Sequence, residues 1–327
     1  LCRLQRNRQE VIFKQLGIQL SRQTMSDWLI KIANVLHPVL YEYWQKILLQ
    51  QEVIKADETP LKVISDDRIN SYMWVYSSGA DSPAGNICGD SAPNIVLYDD
   101  QPSRAGRCAV DFLQNDDDQH YSGYLQVDGY ADYHQSHATL VVCMAHIRRK
   151  FKEAQTAQSK TSKKTGKADW ALNHIQKLYR IETQIKGLPV DERYRIGQEQ
   201  SVPLLNQFKI WLDKSASNVL PESLLGKALN YALNQWQKAI RYCDDGRLDI
   251  DNNRSERAIK PFVMGRRAWL FSQTARGANA SATLYSIVQS AKANGLVPYD
   301  YLMHVMNEIM AGNTDPEQLL PWKVNLG

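Results

Sequence analysis

Three acidic residues far apart along the chain carry the chemistry this sequence could do. Asp57 lies in VIKADETPLKV, Asp128 in LQVDGYADYH, and Glu256 in DNNRSERAIKPFVMGRRAWLF. Singly, each has an ordinary explanation: a surface residue on an edge strand, an Asp-Gly turn pair, and a capping box with Asn253 at the N-cap three residues before Glu256. Together they form a ligand set. Carboxylate oxygens suit hard divalent cations, and two such cations roughly 3.5–4 Å apart can clamp the attacking and leaving oxygens of an in-line phosphodiester displacement. Arg254, Arg257, Lys260, Arg266 and Arg267 surround Glu256. They would make either a solvated basic face or a row of contacts to a DNA phosphate backbone.

Whether the carboxylates can meet depends on the elements that hold them. EVIKADETPLKVI, INSYMWVYSS and NIVLYDD read as three strands, the last two separated by a Gly/Ser/Pro-rich loop at 79–92. GRCAVDFLQN reads as a helix, GYLQVDGY as a fourth strand and ATLVVCMA as a buried fifth. The order is β-β-β-α-β, a turn or short helix, then β. Adjacent strand residues point to opposite faces, so only one of Asp57 and Glu58 can serve an inward site.

From about 147 to 250 the strand signals vanish. DWALNHIQKLYRIETQIKG puts Ile175, Leu178, Tyr179 and Ile185 on one helical face, SLLGKALNYALNQWQKAIRYC is another helix, and SKTSKKTGK before them reads as a solvated loop. A final helix near 278–294 carries Leu284, Ile287, Val288 and Ala291 and ends at Asn294-Gly295. At the other end, QEVIFKQLGIQLSRQTMSDWLIKIA reads as a helix, a turn at Gly17 and a second helix capped by Ser21, with Trp28, Leu29 and Ile32 on one face. This is the outline of a helix-turn-helix, in which Arg22, Gln23 and Thr24 would meet base edges. A helical hairpin packed on the next domain is the equal alternative.

The 327 residues are enough for two domains, or for one with a large insertion. The net charge of +4 is too weak to imply nucleic acid by itself, so the clustering of basic residues matters more. Five scattered cysteines without a C-x-x-C pair argue against a disulfide framework or a self-contained zinc site and fit a reducing cytoplasm. No apolar run is long enough for a membrane span, and the chain begins at Leu1 as a fragment would.

The motifs ADETPLKV, GYLQVDGYADYH, CMAHIRRKFKEA, LGKALNYALNQW, DGRLDIDNNRSERAIKPFVMGRRAWLFS and YSIVQSAKANGLVPYDYL run in order along nearly the whole chain. In them the sequence resembles the DDE transposases of the bacterial insertion sequence 66 type. The resemblance implies an α/β (α+β) fold, with an RNase H-like mixed sheet and flanking helices interrupted by an all-helical insertion. It divides the chain into a small N-terminal helical segment (1–50), a core in two parts (51–146 and 251–296), the insertion (147–250) and a C-terminal tail (297–327).

The resemblance also implies that Asp57, Asp128 and Glu256 bind two divalent metal ions, Mg²⁺ or Mn²⁺. The reaction would be phosphodiester hydrolysis at element ends followed by strand transfer. Double-stranded DNA is the implied partner, bound by an oligomer of the chain, with accessory element-encoded proteins as further partners and no membrane. Arg148, Arg149 and Lys150 in the HIRRKFK run join the basic residues around Glu256 as expected DNA contacts. CMAH supplies a C-x-x-H motif, Cys143 and His146, for which packing or docking of the insertion is the expectation ahead of zinc. Family members usually carry leucine-zipper-like and zinc-binding N-terminal segments, and this sequence has neither. Two rivals share these residues: an RNase H-like nuclease or resolvase, and a catalytically silent DNA-binding relic.

Overall fold

Strand β1 (Val53–Leu61) is the centre of a five-stranded sheet that also contains β2 (Ser71–Ser77), β3 (Val96–Gln101), β4 (Tyr124–Val127) and β5 (Thr139–Val142). The order is β3-β2-β1-β4-β5. β1–β2 and β2–β3 are antiparallel, while β1–β4 and β4–β5 are parallel. This is the mixed, RNase H-like sheet expected from the sequence. The computed structural model describes residues 6–65, 71–79, 93–115, 118–159 and 166–326. Apart from their end residues, the loop read at 79–92 and the lysine-rich stretch at 159–167 lie outside the described residues.

The two faces of the sheet follow from side-chain alternation. Ile54 and Ala56 of β1, Trp74 and Tyr76 of β2, and Leu125 and Val127 of β4 point into one apolar core. That core also holds Leu36, Leu40, Trp44 and Leu48, from α2 (Arg22–Leu36), the π-helical turn His37–Tyr41 and α3 (Glu42–Leu49). Met73, Val75 and Leu61 point the other way, onto Ile259 and Phe262 of α10 (Asn253–Trp269). Lys55 and Asp57 alternate with Ile54 and Ala56, so they share this second face.

The second face is divided. Beside β4 and β5 it is covered by α5 (Met144–Ser159), α6 (Lys167–Ile185), α8 (Val202–Ala216) and α9 (Leu224–Ala239), whose Phe151, Ile175, Leu178, Phe208 and Trp236 form a separate core with Val141. α7 (Val190–Ile196) joins α6 to α8 through a π-helical turn. Ile175, Leu178 and Ile185 are buried as their spacing predicts.

The exposed edge of β3 is closed by a helix. α11 (Ala275–Ala293) is lined with Ala and Ser and approaches closely; Ser286 and Ser290 hydroxyls accept from the backbone N–H groups of Tyr98 and Val96 at 2.8 and 2.9 Å. These satisfy an edge strand that would otherwise be a template for aggregation. Helix α4 (Gly106–Phe112) lies between β3 and β4.

Two readings of helices need correction. Asn294-Gly295 does end α11, with Gly295 at φ +78, but α11 is not the final helix. Pro298 sits in the first turn of α12 (Pro298–Met310), where its missing N–H costs nothing, and Tyr301 and Val305 of α12 enter the main core. In the N-terminal hairpin, α1 (Arg6–Gln15) and α2 are joined through Gly17 at φ +78, and Ser21 accepts from the Thr24 N–H at the start of α2. The face of α2 that packs is Met25, Ala33 and Leu36, with Leu29 and Ile32 beside it; Trp28 is 52% exposed.

Candidate active site

Asp57 is the fifth residue of β1, and Asp128 immediately follows β4. The parallel register sets Lys55 opposite Gln126, and two residues further it leads to Asp57 beside Asp128. Neighbouring strands run about 4.8 Å apart, and both side chains belong to the face away from the main core. Just past Asp128 the chain turns at Gly129, φ +91, where a Cβ would come within 3.0 Å of the Tyr231 hydroxyl. That hydroxyl donates to the Asp128 carbonyl at 3.2 Å, and the Asp128 carboxylate accepts from the Tyr130 N–H at 2.8 Å.

Glu256 comes from the first turns of α10, and the capping box expected there is absent. The N-cap is Asn252, not Asn253. Asp251 takes over the cap, accepting from the Asn253 N–H at 3.2 Å and from its amide at 2.5 Å. Glu256 is therefore not spent on the helix end. The start of α10 is instead fastened to the sheet. Asn252 donates to the Ala56 carbonyl at 2.7 Å, and the Arg254 guanidinium donates to the Ser78 carbonyl at 2.7 Å.

The electrostatics show the Asp57 carboxyl sensing the charges of Asp128 and Glu256. Burial, then Glu58, Asp128 and Glu256, push the Asp57 carboxyl up to about 8, against the pull of the Glu58 N–H that it accepts. A half-buried carboxyl at that value is favoured in its charged form by added positive charge, which is what a divalent cation supplies. The donor set of oxygens fits Mg²⁺ or Mn²⁺.

Glu58 points to the other face, as alternation requires. Its side chain is 1% exposed and bound by Arg104, with Nε at 2.7 Å, and by the Tyr133 hydroxyl at 2.6 Å. Arg104 also lies 3.8 Å from the Asp128 carboxylate and 3.7 Å over the Tyr130 ring. Sequence reading missed Arg104, a single arginine in a connection with no periodicity to mark it. It missed Asp249 as well, which pairs with buried Lys55 and with Arg193 at 3.3 Å, tying the sheet to the helices after it.

The C-x-x-H pair falls beside Glu256. Cys143 is buried between β5 and α5, and burial pushes its thiol up to about 12. His146 is held below its ordinary value by burial and by Arg149, with Asp128 and Glu256 pulling it back up.

The basic residues divide into two groups. Arg148, Arg149 and Lys150 are exposed on α5, and Arg257, Lys260 and Arg267 are exposed on α10. Arg254 does not belong with them: it is 5% exposed and committed to Ser78. Arg266 donates to the Thr59 hydroxyl at 2.9 Å and to the Pro60 carbonyl, so it fastens α10 to β1. In the N-terminal hairpin Arg22 pairs with Glu10 at 3.1 Å, the Gln23 amide donates to Asp27 at 2.9 Å, and the Thr24 hydroxyl lies 2.9 Å from that of Ser21.

A family model described as "Transposase IS66 family" matches residues 4–280, and one described as "IS66 C-terminal element" matches residues 286–322. The chain belongs to the IS66 transposase family. Curated relatives of this IS66 chain include uncharacterized proteins y4qI and y4jD of Sinorhizobium fredii, 30% and 31% identical over 96% of it. It spans 58% and 62% of their lengths. No solved structure matches. Among the described residues no helix is long and apolar enough to cross a membrane.

Proposed function

We propose that this IS66 chain is a DDE transposase catalytic region in which Asp57, Asp128 and Glu256 hold two divalent cations, Mg²⁺ or Mn²⁺. When bound, such cations activate the attacking oxygen and neutralise charge on the leaving oxygen of a phosphodiester. The chain's own residues supply the frame. β1 and β4 carry Asp57 and Asp128 at the same level of a parallel pair, and the bond from Asn252 to Ala56 fastens the start of α10, the helix of Glu256, to β1. The observation that carries the reading is the parallel register that brings Asp57 level with Asp128, with the start of the Glu256 helix bonded to Ala56, the residue before Asp57.

DNA is the substrate in this reading. Arg148, Arg149 and Lys150 on α5 and Arg257, Lys260 and Arg267 on α10 would contact its phosphates, with Arg22, Gln23 and Thr24 available at the start of α2. The division into a core at 51–146 and 251–296, a helical insertion at 147–250 and terminal segments at 1–50 and 297–327 belongs to the same proposal. So do an oligomer on DNA, accessory element-encoded proteins and a bacterial cytoplasmic setting.

The test is three separate variants, Asp57→Asn, Asp128→Asn and Glu256→Gln, assayed for cleavage and joining of element-end DNA with Mg²⁺ or Mn²⁺. Each is expected to lose at least about 10³-fold in rate while keeping its fold. Normal joining by any one of them removes that residue from the site. Cutting without joining by the parent chain would favour a nuclease, and metal-independent binding without nicking a silent relic.

A further inference from the structure

We propose that Cys143, His146 and Glu256 form a second cation site, selective for thiophilic divalent metals of the zinc class. Among the described residues they are the one group of three cysteine, histidine or acidic side chains whose ligand atoms all lie within 4.8 Å of one another. Bonds of about 2.3 Å to sulfur and about 2.0 Å to nitrogen or oxygen set tetrahedral ligands roughly 3.3–3.5 Å apart, so a small rotation of these side chains closes the site.

Three further observations support it. The buried Nδ1 of His146 has no hydrogen-bond partner among the described residues. The Asn252 N–H donates to the Cys143 Sγ at 3.2 Å, the kind of outer-shell contact that orients a ligating sulfur. Cys143 also directly precedes α5, and the C-x-x-H spacing returns His146 to the same end one turn later. Sulfur and imidazole select Zn²⁺ or Co²⁺ over Mg²⁺, which prefers oxygen alone. The set differs in kind from the three carboxylates.

Glu256 belongs to both sets. A zinc-class ion held by Cys143 and His146 would keep Glu256 beside them, so it would oppose loading of the carboxylate site by Mn²⁺. This consequence rests on the carboxylate reading; the thiolate site itself does not.

The probe is Co²⁺ added to the metal-free chain carrying Cys2→Ser and Cys88→Ser, which removes the two thiols outside the described residues. One equivalent should produce a near-ultraviolet thiolate-to-cobalt absorption band. Adding Cys143→Ser should abolish the band, and His146→Asn or Glu256→Gln should raise the Co²⁺ dissociation constant about tenfold or more. No band in the parent, or a band that survives Cys143→Ser, overturns the site. Should Cys143→Ser fail to fold by circular dichroism, His146→Asn decides, and an unchanged Co²⁺ affinity there overturns it. Zn²⁺ should also raise the Mn²⁺ dissociation constant about tenfold; an intact cobalt band with unchanged Mn²⁺ binding overturns the sharing of Glu256. Normal joining by Asp57→Asn would sink the transposase reading and leave the cobalt band untouched.

Discussion

The side-chain amide of Asn252 donates to the carbonyl of Ala56 at 2.7 Å, joining the residue that starts α10 to the residue just before Asp57. Glu256 lies four positions after Asn252, a little over one helical turn, so this bond fastens to β1 the end of the helix that carries Glu256. Asn252→Ala leaves a buried carbonyl unpaired, which costs about 1–3 kcal/mol. Displacing Glu256 by about 1 Å would cost roughly 10²-fold in strand joining. Melting curves and joining rates on the same preparation separate the two effects. A rate loss no larger than the folded fraction explains would make Asn252 purely structural.

Metal removal should make stability pH-dependent through Asp57. The folded chain keeps a proton on this carboxyl up to about 8, whereas the unfolded chain releases it near the ordinary aspartate value of 3.8. Between those values the folded state binds the extra proton, so its contribution to stability is full at low pH and is lost as pH rises through about 8. Each unit of difference is worth at most about 1.4 kcal/mol. In chelator, the melting temperature should fall between about pH 5 and 8, and Mn²⁺ should restore it. Asp57→Asn should flatten the curve. Equal slopes for variant and parent would show that Asp57 does not carry the proton.

Arg104 is the counter-charge for buried Glu58 and stands beside Asp128. Arg104→Ala leaves Glu58 with Tyr133 alone, and because the guanidinium is partly exposed the loss should be moderate, about 2 kcal/mol. Arg104→Lys keeps the charge but not the fork, and should recover only part of the loss. Double-mutant analysis with Glu58→Gln checks the assignment: additive effects would mean that the two residues do not act as a pair.

The five strands and their succession along the chain were legible because each is a local run of alternating or continuous apolar residues, whereas the mixed sheet they form was implied by the resemblance; the carboxylates sit at strand positions that alternation alone can assign to a face. The helix at Glu256 was harder. Asn253 and Glu256 have capping-box spacing, yet Asp251 caps α10 and Asn252 reaches for Ala56, 196 residues away. No local pattern encodes that choice. α12 was hidden because Pro298 after Asn294-Gly295 reads as a stop, although proline in a first turn also starts helices. Arg254 looks like its neighbours in sequence, and only the tertiary position of the Ser78 carbonyl makes it a buried strut.

That distinction gives a sorting experiment for the arginines. Arg148, Arg149 and Lys150 on α5, and Arg257, Lys260 and Arg267 on α10, are exposed. Each one that meets a phosphate should, when changed to alanine, weaken DNA binding without regard to sequence and lower the salt dependence by about one counterion. Their melting temperatures should stay near the parent's. Arg254→Ala should behave in the opposite way. It unpairs the Ser78 carbonyl and removes a buried anchor of α10, so it should cost about 2–4 kcal/mol and leave the salt slope of the remaining folded protein unchanged. Binding isotherms at several salt concentrations, paired with thermal melts, read both quantities. A reduced salt slope in Arg254→Ala, with stability intact, would return that residue to the DNA surface.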